Sequence, residues 1–282
     1  MRSNRVGAIL FRGCIVPNEP RLQWFMIPHY YTLGRPVRNL KILVAVPVYN
    51  EVRHVRAVLS EVRRYSEFIL LVNDGSTDGT SELLDTIPNL LRVDHPRNMG
   101  YGAAVRSAFD YAIRNDFDVL VTMDCDGQHQ PERIPVLLEA LTGETQLVSG
   151  SRYLRDFKQD TPAPTDRQGI NAIVTGELNA QYGLNLTDAF CGFKAYCVKA
   201  LADLRLTENG WGMPLQLWVQ AAHLGWQIRE VGVPRLYLDA SRAFGGVMND
   251  PDTRLNYYRD VIRTTEEKSV ALQRRTLAGC HG

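Results

Sequence analysis

The chain lacks any apolar run approaching the roughly 20 residues that span a bilayer, so no membrane anchor is expected within its sequence. An excess of one charge is missing too: 32 Lys and Arg face 31 Asp and Glu, a net charge of +1. That balance calls for neither nucleic acid nor a strongly anionic surface as partner. Cysteine is scarce, at five in 282 residues. Cys14, Cys125, Cys191, Cys197 and Cys280 form no Cys-x-x-Cys pair and their number is odd, which argues against a disulfide framework or a zinc cluster and points to reduced thiols in a cytoplasmic setting. Two nucleotide signatures are also absent. No Gly-x-G-x-x-Gly follows the first strand signal, and no Gly-x-x-x-x-Gly-Lys-Ser/Thr loop occurs. Nicotinamide enzymes and P-loop kinases are thereby disfavoured.

What is present is an ordinary globular balance, 45% hydrophobic and 22% charged, long enough for one large α/β domain with appendages. The most informative stretch is Asp124-Cys125-Asp126-Gly127-Gln128-His129-Gln130-Pro131. The apolar run Asp118 to Met123 before it reads as a buried strand. After it, Ile134, Leu137, Leu138 and Leu141 recur at helical spacing. Two carboxylates one residue apart therefore sit where a strand ends and a helix begins, the position where open α/β sheets bind ligands. Oxygen ligands suit a hard divalent cation, Mg²⁺ or Mn²⁺, that completes its shell with water and substrate phosphate. An Asp-x-Asp pair by itself is equally a solvated acidic turn.

Three further segments surround it in fixed order. Lys41 to Val46 reads as a strand and leads into Pro47-Val48-Tyr49-Asn50-Glu51. Phe68 to Val72 reads as a second and leads into Asn73-Asp74-Gly75-Ser76-Thr77-Asp78. Downstream lies Thr187-Asp188-Ala189-Phe190-Cys191-Gly192-Phe193-Lys194. With these four motifs the chain resembles the inverting glycosyltransferases of family 2, and within them the dolichol-phosphate or polyprenyl-phosphate mannosyltransferase group, from about residue 40 to about residue 245.

The resemblance implies an α/β GT-A fold with a mostly parallel sheet and helices on both faces. It implies transfer of a hexose from a nucleotide sugar, GDP-mannose or UDP-glucose, to a polyprenyl phosphate or, alternatively, to a saccharide or small-molecule hydroxyl. Pro47, Tyr49, Glu51, Asp74, Asn98, Gly100 and Asp124 would then hold the donor, and Asp124, Asp126 and Gln128 the Mg²⁺ or Mn²⁺. Asp188 would orient the sugar and serve as general base for a hydroxyl acceptor. Arg152, Arg167 and Arg242 would grip an acceptor phosphate through forked, charge-assisted hydrogen bonds. Two departures fall on the acceptor side. Gln216 stands where the family usually has an acidic residue, and Arg242-Ala243-Phe244-Gly245-Gly246-Val247-Met248 lacks the usual Ser-Lys. A non-catalytic nucleotide-sugar-binding protein of the same fold is the reading from a different class. A nucleotidyltransferase is disfavoured because Pro47 to Glu51 stands where a Gly- and Arg-rich loop would be.

Along the chain, strand and helix signals alternate from Lys41 onward, which implies a mostly parallel sheet. Three segments are expected: a basic, aromatic extension over 1–38, a catalytic domain over 39–245 and a polar helical tail over 246–282. The extension has three readings: a peripheral membrane-contacting arm, an arm covering a sheet edge or a second copy of the chain in a homodimer, or an artefact of an upstream start codon. Packing is favoured for residues 20–38 and weak order before them. The expected location is cytoplasmic, including a peripheral place at the inner face of the membrane.

Overall fold

The computed structural model describes residues 31–32, 35–36, 39–238 and 244–279, with side-chain surroundings from residue 39 to 272. Most of the 1–38 extension and Arg242 lie outside the described residues. Within the extension, β1 (Tyr31–Thr32) and β2 (Arg35–Pro36) pair only with each other.

The main sheet has seven strands: β3 (Ile42–Val48), β4 (Phe68–Asn73), β5 (Leu91–Asp94), β6 (Val119–Thr122), β7 (Thr145–Ser151), β8 (Lys194–Cys197) and β9 (Gln227–Gly232). Their spatial order is β5-β4-β3-β6-β8-β7-β9. Every neighbouring pair is parallel except those made by β8, which runs against both β6 and β7. The helices are α1 (Val55–Val62), α2 (Thr80–Asp85), α3 (Tyr101–Arg114), α4 (Ile134–Ala140), α5 (Thr165–Tyr182), α6 (Val198–Leu201), α7 (Met213–His223) and α8 (Pro251–Gly279).

The two-residue period of a strand sorts β3 between two cores. Leu43 and Ala45 face the larger one, with α3, α5, α6, α7 and α8. Ile42, Val44, Val46 and Val48 face the smaller, with α1, α2 and α4. The mixed sheet with helices on both faces is the GT-A architecture.

Two topological facts position the site. β3 has β4 on one side and β6 on the other, so the chain reverses direction of strand addition there, and the crevice opens at their carboxyl ends. Because β8 is antiparallel, its first residue, Lys194, pairs with Thr122 at that same rim. The Asp188 to Phe193 segment is thereby brought beside the acidic loop. The 246–282 segment is not a separate tail among its described residues: α8 buries Tyr258, Val261 and Ile262 in the larger core and sends Arg254 to the cleft. No helix among the described residues is long and apolar enough to cross a membrane.

Candidate active site

The acidic loop leaves β6 at Thr122 and turns at Gly127, whose φ of 77° favours glycine. Within the turn, Asp126 accepts from the Gln128 backbone N–H at 3.0 Å and from Gln128 Nε2 at 2.7 Å. The Asp124 N–H donates to His129 Nδ1 at 2.9 Å, so that nitrogen carries no proton. His129 stacks on Phe193, and burial pushes its pKa down to about 4. His129 is therefore a neutral prop of the loop.

The Asp124 carboxylate keeps 35% of its side chain open to the cleft and accepts a hydrogen bond from the Tyr101 hydroxyl. Loss of water in the cleft raises its pKa to about 6, against the opposing pull of the Arg152 and Lys194 charges. Gly192 lies against it so closely that a Cβ there would meet Tyr101 Oη at 2.7 Å and both Asp124 oxygens at 2.9 Å. No cluster of three or more His, Cys, Asp or Glu that could hold a metal occurs among the described residues. Two carboxylates and one amide are a partial shell, which fits a hard cation that arrives with phosphate and water and not a protein-only cage.

A cleft of about 670 Å³ runs over this loop, within the range of small-ligand sites. One half is lined by Pro47, Tyr49, Glu51, Asp74, Asn98 and Gly100. Glu51 is buried and meets His54 Nδ1 at 2.8 Å. Asp74 is committed to the wall itself. It accepts from the backbone N–H groups of Met99 and Gly100 at 2.8 and 2.9 Å, and its Oδ1 lies 2.6 Å from His95 Nδ1. Its observed work is to shape the loop that carries Asn98. Gly100 has φ 103°, and a Cβ there would meet the Asn209 carbonyl at 2.4 Å, so only glycine fits.

The other half carries Arg152, Arg167 and Arg254 among aromatic rings. Arg152 forks onto Asp188, with Nε at 2.7 Å and Nη2 at 2.9 Å. Asp188 also accepts from the Arg152 N–H, the Phe190 N–H and Asn171 Nδ2. It is 0% exposed. Burial alone would raise its pKa, but the Arg152 charge and these hydrogen bonds hold it below the usual carboxylate range. The sequence expectation has Asp188 meeting the sugar or the acceptor; in this structure its carboxylate is buried and taken up by these donors, an arrangement that fixes Arg152.

Arg167 lies over Phe244, 4.9 Å from the ring centroid, and 6.0 Å from that of Tyr237. Arg254 pairs with Asp166 and sits 4.5 Å from the Phe244 centroid. Trp211 stacks on Tyr101 at 5.3 Å. Tyr101, Trp211, Tyr237, Phe244, Arg254 and Tyr258 all line the cleft without having been singled out from sequence as ligand-facing. Only Tyr101, next to Gly100, and Phe244, within the Arg242 to Met248 segment, lay in stretches that the sequence marked. Behind the loop, Lys194 is buried, donates to Ser149 Oγ and the Cys191 carbonyl, and loses basicity to burial. Gln216 Oε1 accepts from the Thr207 and Glu208 N–H groups at 2.7 and 2.8 Å, so the amide serves the 207–210 loop and not the cleft chemistry.

Residues 43–205 match the family model described as Glycosyl transferase family 2. The chain belongs to glycosyl transferase family 2. The undecaprenyl-phosphate mannosyltransferase of Micrococcus luteus is 33% identical to this family 2 enzyme over 222 residues, 75% of this chain and 90% of that one. The polyprenol monophosphomannose synthase of Mycolicibacterium smegmatis is 31% identical, over 68% of this chain and 76% of that one. Among solved structures, glucosyl-3-phosphoglycerate synthase from Mycobacterium tuberculosis, in complex with Mn²⁺, UDP-glucose and phosphoglyceric acid, superposes with a TM-score of 0.61 at 20% identity, covering 82% of this chain and 81% of that one. At that identity the likeness is one of fold.

Proposed function

We propose that this family 2 glycosyltransferase moves a hexose, with inversion, from a nucleotide diphosphate sugar to a polyprenyl phosphate at a membrane surface, with Mg²⁺ or Mn²⁺ at Asp124 and Asp126. The observation that carries the proposal is the division of charge along one cleft. The carboxylates that line it, Glu51, Asp74, Asp124 and Asp126, all follow β3, β4 and β6, whereas the lining arginines, Arg152, Arg167 and Arg254, come from the end of β7, from α5 and from α8. A hydroxyl acceptor needs a base where it docks; a phosphate is already ionised at neutral pH and needs cations.

In this reading Pro47 and Tyr49 wall the base, Glu51 and Asn98 meet the ribose, and Gly100 lets the backbone close on the nucleotide. The ion, when bound, neutralises charge on the departing diphosphate. Gln128 would turn its amide oxygen to the same ion. Arg152 is held rigid by Asp188, leaving Nη1 directed at the cleft, and Arg167 offers a second cation. Both would hold the acceptor phosphate in line with the anomeric carbon. The names of the bacterial relatives support a polyprenyl-phosphate acceptor. The test is transfer of labelled hexose from GDP-mannose or UDP-glucose to undecaprenyl phosphate against undecaprenol. Transfer only to the phosphate is expected; transfer to the alcohol would overturn the proposal.

A further inference from the structure

Tyr237 follows β9 and is pinned by its own backbone, whose N–H donates to Thr161 Oγ1 at 2.7 Å. Its phenol meets Arg152 and its ring lies near Arg167. Arg152 Nη1 donates to the Tyr237 oxygen at 3.3 Å, and the Arg167 guanidinium lies 6.0 Å from the ring centroid. A guanidinium has no acceptor, so the Tyr237 oxygen must be receiving. The Tyr153 hydroxyl adjoins it. Burial first, and then the neighbouring Tyr237, push the Tyr153 pKa up to about 12, and either phenol of the pair can donate to the other. A phenol oxygen accepts on its lone pairs and donates once. With Arg152 on the accepting side, the Tyr237 hydroxyl still has one proton to give, and because Tyr237 lines the cleft that proton can turn from Tyr153 to a bound oxyanion.

We propose that the Tyr237 hydroxyl is a third, neutral donor to a phosphate-monoester oxygen bound beside Arg152 Nη1 and Arg167. The inference rests on reading the arginine half as the acceptor half. A donor already polarised by a cation and fixed in place reorganises little when an oxyanion arrives. Tyr237 also complements the arginines. Its hydrogen bond has one direction, so it fixes the rotation of the phosphate and with it which oxygen faces the sugar. The same chemistry would recognise the headgroup of a prenyl phosphate or a soluble phosphate ester.

The test is titration of the full chain, followed by quenching of tryptophan fluorescence (Trp211 lines the cleft). The ligands are farnesyl phosphate, farnesol, glycerol 3-phosphate and a nucleotide diphosphate. Tyr237→Phe keeps the ring and the Arg167 contact and removes only the hydroxyl. Farnesyl phosphate should bind the variant about tenfold more weakly, the size expected for one hydrogen bond to a charged group. Farnesol and the nucleotide diphosphate should bind unchanged. Tyr237→Leu, which also loses the ring, should weaken farnesyl phosphate further. Equal affinity of wild type and Tyr237→Phe for farnesyl phosphate would overturn the proposal, as would an equal loss for farnesol. A tenfold loss for glycerol 3-phosphate, with no farnesyl phosphate binding to wild type, would keep the subsite and sink the polyprenyl reading. Binding of neither phosphate ester would sink both.

Discussion

Replacing Asp188 by Asn separates a positioning role from a catalytic one. The Asp188 carboxylate is inaccessible to solvent and accepts five hydrogen bonds, three of them from Arg152. The amide keeps the shape but removes the charge, and its NH₂ group would face donors on Arg152 or Asn171. Arg152, 19% exposed, would be left as a largely buried cation without its counter-charge. Breaking such a pair from one side costs about 3–5 kcal/mol. A domain has about 5–15 kcal/mol in all, so the variant should fold but unfold at lower denaturant. With a urea slope of about 2–3 kcal/mol/M the midpoint should fall by roughly 1–2 M. The double variant Arg152→Met with Asp188→Leu removes both charges and should regain much of the loss, a coupling that a double-mutant cycle measures. The pH dependence has a definite sign. A carboxyl held low in the folded chain stabilises it above its unfolded value of about 3.9, and that contribution disappears as pH falls through the folded pKa. Asp188→Asn should therefore lose this part of the acid-limb destabilisation. If the variant unfolds at the wild-type midpoint and loses only turnover, Asp188 is a base after all and the assignment of its role fails.

Two other perturbations act on the acidic loop. Gly192→Ala places a methyl 2.7 Å from Tyr101 Oη and 2.9 Å from the Asp124 oxygens; the Tyr101 to Asp124 bond should break, and Mn²⁺-dependent donor binding, followed by calorimetry, should weaken about tenfold, whereas unchanged affinity would show that the contact is unimportant. Because the Asp124 pKa is raised to about 6, Mn²⁺-dependent donor binding should fall as pH drops through about 6. The same raised pKa favours folding near pH 4 and withdraws that contribution as pH rises toward about 6. Binding that is flat from pH 7.5 to 5 would argue against Asp124 as a ligand.

The rim at the ends of β3, β4 and β6 was legible in the sequence because its signals are local. β3, β4 and β6 are continuous apolar runs closed by turn chemistry, and Gly100 and Asp124 sit at fixed offsets from strand ends. β8 escaped because it is four residues long and begins with a charged residue, Lys194. α8 read as a polar tail because its buried face includes Arg254 and Thr265 beside Tyr258, a pattern that carries no apolar stripe. Asp188 was legible as a residue of interest and not as to its role: only the fold shows that it points inward to Arg152. Tyr237 and Phe244 lie in irregular segments, and what matters about them is their closeness to arginines distant in sequence, which no periodicity encodes. The membership of family 2 rests on residues 43–205, while the roles within the cleft are proposals argued from geometry.

The central claim is that one cleft pairs a cation-assisted leaving diphosphate with an acceptor that arrives already ionised. Its most direct measurement is the rate of hexose transfer to undecaprenyl phosphate and to undecaprenol, with Mn²⁺ or with chelator, for the wild type and for Asp126→Ala. The account predicts transfer to the phosphate alone, dependent on Mn²⁺ and lost in Asp126→Ala. Equal transfer to the alcohol, or full activity in chelator, would contradict it.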